Sequence, residues 1–383
     1  MKTSADHIVT THTGSLPRPD QLIELVYSKQ EGKQIDDAAF DTLVGKTVDE
    51  LVGRQVDIGI DVVSDGEVSK PGFVNYIRER LSGFGGVGAP WALEDMDEVP
   101  ELTMAQYGGA AGQHIMMPQC IGPISYVGQD KVTDDIRRLR HALGQSHALE
   151  GFIPATSPGC VTMGAANKHY DSYESYLWAV SDSMADEYRA IVNAGFVLQL
   201  DCPDIPMIAH TRGWYDGKKA YGVRGYAELH VAAVNRAIEG LPAEMIRLHM
   251  CWGNYTGPHN RDVALSEILE AVLAAKVGAY SFEAANPRHE HEWKVFESIR
   301  LAPEKIIIPG VIDTKTNVLE HPELVAQRIV RYAGLVGRER VIAGTDCGFG
   351  TFVGFGAVHP KVAWLKLESL AEGAQLASKQ LWS

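Results

Sequence analysis

The chain has 383 residues, 45% hydrophobic and 22% charged, enough to bury a sizeable core. Its formal net charge of −14 argues against a nucleic-acid partner, which needs clustered Lys and Arg, and against an anionic membrane surface. No run approaches the ~18 apolar residues of a membrane span and the N-terminus lacks a secretory apolar stretch, so a cytoplasmic protein is expected.

In chain order, short β-rich runs at 7–12, 61–65, 115–121, 151–156, 196–201, 245–251, 279–283, 305–312 and 341–346 are predicted strands. Amphipathic stretches between them, such as 41–58, 173–194, 226–239, 265–275 and 322–336, are predicted helices. This alternation predicts a parallel sheet with crossover helices. Many of the strands end in polar or metal-competent residues: Asp65-Gly66-Glu67, Asp201, His249-Met250-Cys251, Glu283, Asp313 and Asp346-Cys347. In a (β/α)8 barrel those ends form the active-site mouth, which favours the barrel over an open doubly wound sheet. The expectation is one catalytic α/β barrel domain over 1–383 with loop insertions. The runs number one more than such a barrel holds, so one strand lies outside it. Residues 83–100, rich in Gly and Pro, are a lid or a surface insertion.

His249 and Cys251 stand at i and i+2 of a strand and so point to one face. They offer an imidazole nitrogen and a thiol to one point in the barrel mouth. Either residue alone is as readily a core side chain, and spacing does not assign ligands from distant strands. The five cysteines, Cys120, Cys160, Cys202, Cys251 and Cys347, are an odd, sparse set and do not read as a disulfide framework.

Motifs in the right order across nearly the whole chain resemble the catalytic barrel of the cobalamin-independent methionine synthases and their shorter relatives, including epoxyalkane:coenzyme M transferase. Thr13-Gly14-Ser15-Leu16-Pro17 resembles the segment that opens that barrel. Ser64-Asp65-Gly66-Glu67 resembles its His-Gly-Glu element, with Asp in place of His. Leu198-Gln199-Leu200-Asp201-Cys202-Pro203 resembles its Gln-Ile-Asp-Glu-Pro element, with Cys in place of Glu. His249-Met250-Cys251, Phe282-Glu283-Ala284 and Asp346-Cys347-Gly348 resemble the pieces that carry its zinc ligands. The resemblance implies a Zn²⁺ held by His249, Cys251, Glu283 and Cys347. It also implies that Glu67 and Asp201 hold the amino group of homocysteine, with Ser15 and the Thr13 backbone at its carboxylate. The long synthases carry an additional N-terminal half that 383 residues do not accommodate.

The implied chemistry is zinc-dependent methyl transfer, in which a thiol bound to the metal as thiolate attacks a methyl donor in an SN2 displacement. Methyltetrahydrofolate, methylcobalamin on a corrinoid protein, or an epoxide would each supply the alkyl group. A folate donor needs a general acid. Where the synthases present a His, this chain has Lys315, with Asp313 beside it; His12 and Tyr126 are further candidates. The alternative is a thiol alkyltransferase acting on coenzyme M with an epoxide, whose sulfonate Arg18 and Lys70 could receive. A metallohydrolase is disfavoured because two thiolates weaken the metal as a Lewis acid, and a structural zinc because a carboxylate ligand favours exchange. A homo-oligomer is compatible with the composition. Arg288-His289-Glu290-His291-Glu292 is expected to be a solvated, charged helix start, since His at i and i+2 share no helix face. The glycines at 83–88 and 348–350 lack the context of a phosphate loop, and the sequon at Asn254 lacks a secretory signal.

Overall fold

Alternate residues of a strand face opposite sides of the sheet, and this chain uses that alternation to separate two interiors. In the computed structural model, which describes residues 1–88, 92–107 and 116–383, seven parallel strands follow one another around the sheet. They are β1 (Val62–Val63), β2 (Glu150–Thr156), β3 (Val197–Asp201), β4 (Ile246–Met250), β5 (Ala279–Phe282), β6 (Ile306–Ile312) and β7 (Gly344–Thr345). The segment 9–11 joins the two edges. The Thr11 N–H donates to Ala343 O (2.8 Å), the Ala343 N–H to Val9 O (2.9 Å) and the Val62 N–H to Thr10 O (3.0 Å). The sheet is thus closed as a TIM barrel, with the N-terminal segment in the eighth position.

One face of each strand fills the barrel. Val9, Val62, Phe152, Val197, Ala279, Ile306, Ile308 and Ile342 form a separate apolar cluster at its closed end. Two residues further along the same faces come Gln199, Arg247 and Ser281, and two further still Asp201, His249–Cys251 and Glu283. The interior therefore turns from apolar to polar toward the strand C-termini. The opposite faces (Leu198, Leu200, Ile246, Leu248, Tyr280) join the large cluster packed against the helices.

The predicted helices are present as Asp37–Asp57, Tyr173–Asn193, Gly217–Ala237, Leu265–Val272 and Pro322–Val336. Further helices at Asp20–Gln30, Gln129–Gly144 and Pro360–Leu381 complete the outer layer. The surplus strand is the one expected at 115–121. Only Gln119–Cys120 is extended there, and it pairs antiparallel with Phe84–Gly85, outside the barrel; residue 115 lies outside the described residues. The 83–100 segment is anchored twice, by that pairing and by Ala92–Leu93 against Thr211–Arg212, while its residues 89–91 lie outside the described residues. No described helix is long and apolar enough to cross a membrane.

Candidate metal centre

Cys251 and Glu283 follow β4 and β5 directly, and Cys347 lies two residues past β7. Register places His249 opposite Ser281 and Asp201 opposite His249, so the inward side chains of three neighbouring strands meet at one level. The ligand atoms of His249, Cys251 and Cys347 lie within 4.8 Å of one another, and the three residues are buried. The two Sγ atoms are 3.7 Å apart, far beyond a disulfide bond, and all five cysteines are free thiols. The hydrogen bond to Cys251, burial and the nearby Glu283 together push the Cys347 thiol well up.

His249 Nδ1 is 3.0 Å from Ser281 Oγ, whereas its buried Nε2 has no hydrogen-bond partner. Burial first and the Arg247 guanidinium second hold this imidazole neutral, with a pKa pushed down to about 3. With the proton on Nδ1, Nε2 carries a free lone pair, the tautomer a metal requires of that nitrogen.

Glu283 is not part of the 4.8 Å group. Its Oε2 accepts from Lys315 Nζ (2.7 Å) and Asn286 Nδ2 (2.7 Å), and its Oε1 from the Trp252 N–H (3.2 Å). Lys315, one tenth exposed, faces a fully buried carboxylate, and that attraction outweighs burial and raises the ammonium pKa. The Lys315 backbone N–H donates to Asp313 Oδ1 (2.8 Å), so the two expected acid candidates are tied to each other, and Lys315 alone of the pair is shown on Glu283. Burial raises the Asp313 carboxyl.

Two of the expected substrate residues, Glu67 and Asp201, form a buried acidic pair, with the Lys70 ammonium acting on both. Glu67, at φ 55°, and Asp201 are buried; burial first, and then for Asp201 its neighbour Glu67, raises both carboxyls. Gln199 Nε2 donates to Asp201 Oδ1 (2.8 Å) and to Thr13 O. Arg247 Nε holds Gln199 Oε1 from below (2.8 Å). The 13–15 loop touches both groups. Gly14 lies against the Glu67 carboxylate, and a Cβ at Gly348, next to Cys347, would meet Ser15 Oγ at 2.0 Å.

The remaining candidates are engaged elsewhere. His12 Nε2 is 2.7 Å from Gln55 Oε1 and its Nδ1 accepts from the Gly14 N–H (3.1 Å). Tyr126 donates to Glu187 (2.7 Å). Arg18 donates to the carbonyls of Gly350, Glu67 and Lys70, and Lys70 Nζ to Pro154 O (2.6 Å).

The 288–292 segment corrects its sequence reading. His289 and Glu292 are buried, and the helix is a 3-10 helix, Glu290–Glu297. His289 stacks on Trp252 with ring centroids 3.8 Å apart. Its Nδ1 lies 2.9 Å from Glu292 and its Nε2 2.9 Å from Asp262, which also receives His259. Burial alone would lower the His289 pKa, but the two carboxylates outweigh it and push it up to about 9. Ser281 could have been found from the sequence, since it sits two residues before Glu283 on the same strand face. Asn286 and Asp262 carry no such signal, and Asp346 is marked only as a strand-end residue beside Cys347.

With this geometry in hand, comparison with known proteins identifies the family. The profile of the cobalamin-independent synthase catalytic domain matches residues 8–98 and 156–361. The chain belongs to this family. It is 23% identical over 382 residues to the methionine synthase of Saccharolobus solfataricus, covering 97% of this chain and 95% of that one. The methionine synthase of Sulfurisphaera tokodaii is 23% identical, with 97% and 93% covered. The B12-independent methionine synthase of Shewanella sp. W3-18-1, solved with selenomethionine, shares the fold with a TM-score of 0.72 at 21% identity, covering 98% of this chain and 99% of that one.

Proposed function

We propose that this synthase-family member is a zinc-dependent methyltransferase whose acceptor is a thiol bearing an ammonium group, homocysteine being the fitting case. The observation that carries the reading is the convergence of two thiols and a neutral imidazole within 4.8 Å, linked through the 13–15 loop to a buried pair of acids. Relatives of nearly the same extent named methionine synthase support methyl transfer.

The donor set fits zinc. Two thiols and an imidazole are borderline-soft ligands, and the orphaned Nε2 of His249 is a buried donor awaiting a partner. His249, Cys251 and Cys347 would hold the ion, with Glu283 as the fourth ligand. Zinc there supplies the Lewis acidity that makes a substrate thiol available as its thiolate at neutral pH. Side chains do the rest. An ammonium between Glu67 and Asp201 stabilises their ionised forms against burial. Ser15 and the Thr13 backbone receive the carboxylate end. Asp313 is the better proton donor of the two acid candidates, because Glu283 holds Lys315 as a cation. Methyltetrahydrofolate or methylcobalamin is the donor class.

The coenzyme M reading needs cations for a sulfonate. Arg18 and Lys70, the two expected for that role, already serve backbone carbonyls, which weighs against it. Zinc X-ray absorption with and without thiol tests the proposal. Homocysteine should add one sulfur scatterer to the metal. No change with any thiol would overturn the reading, and a change with coenzyme M alone would move it to the alkyltransferases.

A further inference from the structure

Lys315 differs from Lys70, the other lysine expected at the barrel mouth, in what it binds. Lys70 donates to a main-chain carbonyl, whereas Lys315 grips the proposed fourth ligand itself. Glu283 Oε2 is shared by Lys315 Nζ and Asn286 Nδ2, both at 2.7 Å, and its Oε1 takes the Trp252 N–H, so the carboxylate is fully hydrogen-bonded outside the 4.8 Å group. Asn286 is in turn immobilised by Asp346. The seat is pre-formed, charged and buried.

We infer that Lys315 is a positioning residue that receives the Glu283 carboxylate when a substrate thiol takes its place on the metal, making the exchange of ligands reversible. This rests on the proposed function. In the exchange one metal–oxygen bond breaks, one metal–sulfur bond forms, and the thiol proton passes to solvent. A thiolate replaces a carboxylate, so the charge on the metal's ligands is unchanged. The released carboxylate is a buried charge beside Asp346, with which it shares Asn286. Unpaired, such a charge is strongly disfavoured, and Lys315 is the cation in hydrogen-bond contact with it. The sequence position is thus assigned to holding charge.

The test uses the zinc-loaded full chain and homocysteine. Lys315→Met and Lys315→Gln should keep one zinc per chain, because the His249, Cys251 and Cys347 donors are untouched. Both should bind homocysteine roughly ten- to a hundredfold more weakly. X-ray absorption should retain the oxygen scatterer at thiol concentrations that remove it from the unmodified protein, and Lys315→Arg should restore the exchange. Equal affinity and equal loss of oxygen in the Met and Gln variants overturn the inference. So does loss of zinc or failure to fold, either of which would make Lys315 a support of the site and not a seat for a released ligand. If the unmodified protein itself gains no sulfur, the parent reading fails instead.

Discussion

Asp346 and Asn286 are joined twice, through the Asn286 N–H and its side-chain amide, each at 2.9 Å. Asp346 also accepts the N–H groups of Ala284 (2.8 Å) and Ala285 (2.9 Å). The turn after Glu283 is thereby fastened to the residue before Cys347, and two strand ends 60 positions apart become one rigid unit. Burial, followed by Glu283 and Asp313, pushes the Asp346 carboxyl up to about 7, so the anchor holds against an electrostatic cost.

Replacing Asp346 by Ala should leave three backbone donors unsatisfied and destabilise the chain by about 3 kcal/mol or more. Urea unfolding measures this, and a change below about 1 kcal/mol would show that the turn finds other partners.

Gly310 on β6 is small because Asp346 lies over it: a Cβ would sit 2.1 Å from Asp346 Oδ1 and 2.6 Å from its backbone nitrogen. Gly310→Ala should therefore cost roughly 1–3 kcal/mol by overpacking. It should also lower zinc affinity, read by competition with a chelator, whereas Ala at solvent-facing Gly334, where nothing lies within 4 Å, should do neither.

Cys251→Ser and Cys347→Ser should each reduce zinc to well below one per chain, because a serine oxygen is a poorer ligand for this metal than a thiolate. Metal analysis after gel filtration is sufficient. Full stoichiometry in both variants would refute the site.

Glu67→Gln and Asp201→Asn should retain zinc but bind homocysteine roughly tenfold or more weakly, while a thiol lacking the amino group is affected less. Calorimetry with both thiols separates these outcomes. An equal loss for both thiols would remove the ammonium assignment.

His289 provides a pH signature. Its folded pKa, pushed up to about 9, exceeds the ordinary 6.5, so folding takes up a proton between these values. The stabilisation is complete below pH 6.5 and is lost as pH rises toward 9, up to roughly 3 kcal/mol in all. The stability difference between the native chain and His289→Gln should shrink from pH 6 to pH 9.5, as measured by denaturant unfolding. A constant difference would mean that folding leaves the His289 pKa at its ordinary value.

The local pattern of residues was enough for the barrel and for half of the centre. Period-two alternation in 197–201, 246–250 and 279–283 puts Asp201, His249 and Glu283 on one face because side-chain direction in a strand depends only on nearest neighbours. Spacing alone pairs only His249 with Cys251, and ordered motif resemblance adds Glu283 and Cys347 as expected ligands. Neither could indicate that Glu283 would be held by Lys315, or that His289 and Glu292 of the charged run at 288–292 would be buried. Those outcomes depend on which strand ends and loops close on one another. Asp262 and His289 are 27 positions apart, and Glu283 and Lys315 are 32 apart. Local pattern constrains which way a side chain points, and only closure of the barrel decides which charge it meets.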